Sequence, residues 1–188
     1  MIESLHKIDS AGFLWLNSLH FNWLDQAMVF LSSQILWYPF TLFFLYFAYK
    51  QFGKKTALYF ALFLLMAILA SDVTSSQILK NIFGRLRPCR AEDTKELVYR
   101  FGQKCGGRFG FVSSHASNSF ALMSFSLLTL SLQRPVQIMA IALAVLVSFS
   151  RIYLGVHYPG DILGGAAVGI GWGIFFAWTF KQAQGASR

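Results

Sequence analysis

Residues 56–79 read TALYFALFLLMAILASDVTSSQIL, and residues 80–88 directly after them read KNIFGRLRP. The first stretch is long enough to cross a bilayer, which takes about 20 mostly apolar residues, and Asp72 is its only charge. The second brings Lys80, Arg85 and Arg87 to the point where such a span leaves the hydrocarbon. An apolar run that ends in a basic cluster sets the reading of the whole chain: helices that cross a membrane, with chemistry at their ends.

Working outward, the same test finds four more runs. One extends from Ala27 to Tyr49 and stops at Lys50, Lys54 and Lys55; another begins near Val112 and ends at Gln133. Arg134-Pro135 breaks the chain and opens a fourth, to about Leu154, with proline suited to a first helical turn. The fifth runs from Ile162 to Phe180, with Asp161 as its expected N-cap. Ahead of them Ile2, Leu5, Ile8, Phe13, Leu16 and Leu19 recur at helical spacing, which predicts an interfacial helix over residues 1–20. Residues 82–111 are polar and glycine-containing and predict an extramembrane loop. The expected fold is all-α: a polytopic bundle of about five transmembrane helices plus the interfacial helix, in a single domain over residues 1–188. Met1 to His20 holds Glu3, Lys7 and Asp9 and lacks an apolar run, so no cleaved signal peptide is expected.

Composition agrees. Of the 188 residues 55% are hydrophobic and 13% charged, against roughly 45–50% and about 25% in soluble domains. This excludes an ordinary soluble domain and intrinsic disorder alike. The net charge of +8 comes from 16 Lys and Arg against 8 Asp and Glu. Most of the cations cluster around one central segment, which favours a small anionic group at a membrane surface over nucleic acid.

Five spans place the termini on opposite sides. One set of loops holds Lys50, Lys54, Lys55, Arg134, Lys181 and Arg188 without any acid. The other holds Lys80, Arg85, Arg87, Arg90, Lys95, Arg100, Lys104, Arg108 and Arg151 with Glu92, Asp93, Glu96 and Asp161. Counting positive residues would put this second set in the cytoplasm. Several of them, however, look committed to a ligand, and Cys89 and Cys105 share their loop. A Cys89–Cys105 disulfide would require an oxidising compartment, two free thiols being the alternative. Two such ligands are too few for a metal site. The expectation is a bacterial inner (plasma) membrane protein whose site faces the periplasm or exterior and whose C-terminus is cytoplasmic.

Three clusters carry chemistry. Lys80 and Arg87, closing the second run, pair a point charge with a planar fork, which suits the non-bridging oxygens of a phosphate. A basic membrane anchor is the plainer reading of that run. Ser113-Ser114-His115 opens the third run, where free helix N–H groups and two hydroxyls form an anion site and His115 is placed as a proton donor to a leaving oxygen. Ser150-Arg151 and His157-Tyr-Pro-Gly-Asp161 join the last two runs. There a turn brings a carboxylate to one imidazole nitrogen and leaves the other as a nucleophile. Asp72 is either a partner of this basic site or a structural polar contact. Gly165, Gly169 and Gly173 form a stripe for close helix packing.

Together the clusters resemble the signature of the phosphatidic acid phosphatase type 2 superfamily, which also includes vanadium-dependent haloperoxidases. The family pattern is Lys, six residues, Arg-Pro; then Pro-Ser-Gly-His; then Ser-Arg, five residues, His, three residues, Asp. Lys80 to Arg87-Pro88 and Ser150-Arg151 to His157 to Asp161 keep that spacing, whereas the middle element reads Val112-Ser113-Ser114-His115, with Val for Pro and Ser for Gly. The resemblance implies that Lys80, Arg87 and Arg151 hold phosphate with Ser113 and Ser114. It implies that His157 attacks phosphorus, Asp161 orients it, and His115 protonates the leaving group and then activates water, with neither metal nor cofactor. The expected function is an integral-membrane lipid phosphatase, with undecaprenyl diphosphate the favoured substrate and phosphatidylglycerol phosphate, phosphatidic acid and lipid A the competitors. A non-catalytic anionic-lipid binding or transport protein would need neither His157 nor Asp161. A haloperoxidase fits poorly with so many spans and no soluble helical domain.

Overall fold

The computed structural model describes residues 2–102 and 104–185; Met1 and Arg188 lie outside them. Among the described residues there are seven α-helices: α1 (Ile2–Ser18), α2 (Asn22–Leu31), α3 (Trp37–Val73), α4 (Lys80–Phe83), α5 (Ser114–Thr129), α6 (Arg134–Tyr153) and α7 (Pro159–Gly185). A π-helical turn, Thr74–Leu79, joins α3 to α4 without a break. Among the described residues Trp37–Phe83, Arg134–Tyr153 and Pro159–Gly185 are long and apolar enough to cross a membrane.

The first of these is two arms. Gly53 takes φ 76° inside α3, a left-handed conformation that glycine adopts without a Cβ penalty. The chain doubles back there, so that Trp37 and Thr41 line one cleft with Ile68 and Asp72. The lysines Lys50, Lys54 and Lys55 sit beside the turn. The first arm begins later than expected. Instead of running unbroken from Ala27, the helix stops at Leu31, passes through a 3-10 turn (Gln34–Leu36) and restarts at Trp37. Ser32 and Ser33 explain the interruption, because such hydroxyls compete with the helical backbone: Ser33 Oγ donates to the Phe30 carbonyl at 2.7 Å. Pro39 then falls in the first turn of the new helix, where a missing N–H is tolerated.

Helix α5 lies at the centre, against α3, α6 and α7. It is shorter than the expected Val112-to-Gln133 span: its 16 residues extend about 24 Å at 1.5 Å per residue. Ser119 and Ser124 satisfy themselves on its own carbonyls, Ser119 Oγ on His115 O at 2.7 Å and Ser124 Oγ on Phe120 O at 2.6 Å, and the small side chains admit α7 closely. A Cβ on Gly165 would lie 2.5 Å from the Ser113 carbonyl. The apolar core gathers Phe44, Phe60, Leu64, Phe125 and Phe180 from both arms of α3, α5 and α7.

Two surface helices clamp the site end. Helix α1 buries Phe13 against Ile152 and Tyr158 while leaving Leu5, Ile8 and Trp15 exposed. Asn17 Nδ2 reaches the carbonyls of Tyr99, Ile152 and Tyr153 at 2.9–3.2 Å, and its Oδ1 accepts the Tyr99 N–H at 2.8 Å. On α2 the buried Asp25 accepts the hydroxyls of Tyr99 and Tyr153, each at 2.7 Å. The connecting loop starts after Phe83 rather than at Ile82, with Gly84 left-handed (φ 57°) as the helix stop, and Cys89 and Cys105 are paired in it with Cα atoms 6.0 Å apart.

Candidate active site

The catalytic-looking turn is built by α7. Its helix begins at Pro159, so Asp161 lies inside the first turn instead of capping it, and the carboxylate reaches back to the Tyr158 N–H at 3.0 Å. This is the backward half of a capping box, made by the third helical residue. The same Oδ2 lies 3.2 Å from His157 Nδ1, four residues earlier and on the same side of the turn. Asp161 is fully buried, and its second oxygen receives Arg85 Nη1 at 3.1 Å. A buried carboxylate is stable only when so paired.

The tautomer follows from the neighbours. Arg87 Nη1, which can only donate, lies 3.2 Å from His157 Nε2, so Nε2 carries the lone pair and Nδ1 the proton that faces Asp161. Arg87 is itself buried and held by the carbonyls of Phe109 at 3.2 Å and Val156 at 3.4 Å. Burial holds the His157 imidazole well below the usual histidine pKa, and the charges of Arg87, Arg151 and Lys80 push it the same way. The ring is therefore neutral, with one nitrogen aimed at a cationic pocket.

The start of α5 supplies the opposite wall. Lys80 Nζ donates to Ser114 Oγ at 2.9 Å, and the first-turn N–H groups of Ser114 and His115 have no acceptor within their own helix. Ser113 is placed differently from its neighbour. Its Oγ accepts the Ala116 N–H at 3.5 Å as the N-cap, and its own N–H is taken by the Asp161 carbonyl at 3.0 Å. Ser113 thus ties α5 to α7, and Ser114 is the serine that meets a cation. His115 Nε2 rests 3.2 Å from the Ser32 carbonyl, and Arg151 Nη1 donates to Ser32 Oγ, while the buried Arg151 Nε has no partner among the described residues. Arg151 and Arg87 are both within electrostatic reach of Lys80.

Lys80, Arg87, Ser114, His115, Arg151, His157 and Asp161 are thus brought to one end of the bundle from three separate stretches of chain. Asp72 is not on Lys80; it accepts Asn118 Nδ2 at 2.9 Å and Ser76 Oγ at 3.4 Å. Cys89 and Cys105 lie in the loop above. Sequence reading missed an outer ring. Arg85 pairs with Asp9 of α1 at 2.7 Å as well as with Asp161, and Asp9 Oδ1 accepts the Gly160 N–H at 2.8 Å. Arg85 also lies 4.0 Å over the Tyr158 ring. The only prior signals were a second arginine in the basic cluster and an acid in an interfacial helix.

Residues 60–184 match the PAP2 superfamily. The chain is 37% identical to the lipid A 4'-phosphatase of Bacteroides thetaiotaomicron, over 94% of this chain and 79% of that protein. It is 31% identical to the lipid A 4'-phosphatase of Porphyromonas gingivalis, over 97% of this chain and 77% of the relative. Among solved structures, the transmembrane PAP2-type phosphatidylglycerolphosphate phosphatase from Bacillus subtilis has the same fold, with a TM-score of 0.69, 22% identity and coverage of 96% of this chain and 87% of that one.

Proposed function

This chain belongs to the PAP2 superfamily and is a bacterial membrane lipid phosphatase, and from that premise we propose that it removes the 4'-phosphate of a lipid A. The carrying observation is the neutral His157 whose Nε2 faces Arg87 while Asp161 holds Nδ1. The two lipid A 4'-phosphatases support the substrate. On that support we rank lipid A ahead of undecaprenyl diphosphate, the substrate favoured on sequence.

In the proposed mechanism Lys80, Arg87, Arg151 and the Ser114 hydroxyl surround the phosphate, joined by the open N–H groups of α5. His157 Nε2 attacks phosphorus and the P–O bond to the sugar breaks. The leaving oxygen takes a proton from His115, and Asp161 stabilises the cationic phosphohistidine. His115 then takes a proton from water, the hydroxide forms the new P–O bond, the P–N bond breaks, and neutral His157 and phosphate result. The charge of such a transition state lies on the equatorial oxygens, so fixed cations and dipoles do most of the work, without a metal. We read residues 1–188 as one domain in the bacterial membrane, with the site on the outer side, where the paired Cys89 and Cys105 fit an oxidising compartment.

The test is phosphate release by detergent-purified protein from lipid A, undecaprenyl diphosphate, phosphatidylglycerol phosphate and phosphatidic acid, with chelator present. The reading expects release that prefers lipid A, survives chelation and vanishes in His157→Ala. Headgroup binding without release from any lipid would favour a binding or transport role instead. A reporter fused after Lys181 is expected inside the cell; an external reporter overturns the orientation.

A further inference from the structure

A cleft of about 330 Å³ opens sideways from the phosphate site between the two arms of α3 and the start of α5, lined by Trp37, Tyr38, Thr41, Asp72, His115 and Asn118. His115 marks it as the side on which the leaving group departs in the proposed mechanism. Two features of the cleft do not follow from phosphate binding. The first is Asp72, a carboxylate in the membrane-spanning part of α3 that touches only neutral donors, Asn118 Nδ2 and Ser76 Oγ. Among the described residues it forms no direct ion pair, although its charge is felt at Lys80. An intramembrane acid held only by neutral donors is expensive, and it repels a phosphate rather than binding one. The second is Asn118. Because its amide N–H₂ faces the carboxylate, its orientation is fixed and its Oδ1 is left buried without a partner among the described residues.

The wall beside His115 therefore carries an excess of acceptors, flanked by two large aromatic rings. Acceptors call for donors. A diacylglycerol or isoprenyl chain offers none next to the phosphate, whereas a sugar offers hydroxyls, or an amide N–H if it is an amino sugar, on carbons close to the phosphorylated one. Asn118 lies three residues beyond His115 on α5, which places it about 4.5 Å further along the helix axis. That distance matches a substituent on a neighbouring ring carbon.

We propose that this cleft is an amino-sugar subsite, in which Asp72 and Asn118 accept hydroxyl or amide protons of the ring that carries the phosphate while Trp37 and Tyr38 cover its apolar faces. Asp72 and Asn118 thus select the leaving group. The proposal rests on the lipid A reading and states how this site enforces it.

The experiment compares kcat/KM of the full-length protein in mixed micelles for 4'-phosphorylated lipid A and for phosphatidic acid, in wild type, Asp72→Asn and Asn118→Ala. Each variant is expected to lower kcat/KM for lipid A at least tenfold more than for phosphatidic acid, chiefly through KM, with thermal melting confirming the fold. Equal losses on both lipids, or no loss on lipid A, overturn the subsite while leaving the lipid A reading intact. Wild-type protein that hydrolyses phosphatidic acid but not lipid A overturns that reading and the subsite with it.

Discussion

Replacing Asp161 by Asn keeps the shape of the side chain and removes one charge, and the structure shows what each orientation of the amide would meet. With N–H₂ in the Oδ2 position, it faces the Tyr158 N–H and the His157 Nδ1–H, donor against donor at 3.0 and 3.2 Å. Relief by switching the His157 tautomer would put a proton on Nε2, against Arg87 Nη1 at 3.2 Å, and occupy the attacking lone pair. With N–H₂ in the Oδ1 position the amide faces Arg85, whose other partner, Asp9, can retain it. The second orientation wins, and the tautomer survives. What is lost is the carboxylate charge opposite the imidazole as it becomes cationic, together with the bond to Arg85. Hydrogen bonds to charged groups contribute about 1.5–3 kcal/mol each, and Asp9 offsets part of the Arg85 share, which leaves about 3–4 kcal/mol. At about 1.36 kcal/mol per factor of ten, kcat falls on the order of 10²- to 10³-fold. The assay is steady-state phosphate release from lipid A micelles, with KM measured separately. A kcat within threefold of wild type, or a loss confined to KM, refutes the assigned role of Asp161.

Other expectations concern the surroundings of that carboxylate. Arg85→Gln removes its outer support and is expected to lower kcat about tenfold, with Asp9→Asn milder because Arg85 then keeps Asp161; both groups are about a fifth exposed (21% and 17%), so solvent screening trims each contribution to about 1–2 kcal/mol. The reverse order of the two variants would show that α1 acts on the site by another route. Stability should depend on pH through His157, whose folded pKa lies below its unfolded value: as pH falls below about 6.5 the unfolded chain takes up a proton that the folded one refuses, and stability declines by up to about 1.4 kcal/mol per pH unit. Above that pH this contribution is flat, and a melting-temperature difference between His157→Gln and wild type that does not change from pH 5 to 8 contradicts it. Gly169→Ala would drive a Cβ into the Ser117 carbonyl and to 2.9 Å from the Ala121 nitrogen, whereas Gly171 has open space. About 1–3 kcal/mol of stability is expected to go with the first and almost none with the second, read by thermal melting.

The parts of the site legible in the sequence are those whose meaning is local. His157 and Asp161 share one helical turn, Ser114 and His115 open a helix, and Lys80 and Arg87 end an apolar run, so spacing alone brings each group together. Spans are legible for a similar reason, because lipid demands continuous apolar residues. The interruption at Ser32–Ser33 is not, since two serines inside an apolar run do not reveal that their hydroxyls are spent on Phe30 and Arg151. Nor is the Asp9–Arg85–Asp161 chain, whose members come from α1, the loop and α7 and meet only once the helices pack. Ser113 and Ser114 look equivalent in sequence, yet the pitch of α5 turns one inward as a cap and leaves the other to Lys80.

The central claim is that His157 becomes phosphorylated. It is tested most directly by mixing the full-length protein with lipid A labelled with ³²P at the 4'-phosphate, quenching in base within milliseconds, and mapping the label by digestion and mass spectrometry. The account predicts an acid-labile, base-stable phosphate on the His157 ring during turnover, absent from His157→Ala. Turnover at the normal rate with no label on His157, or with the label on another residue, would contradict it.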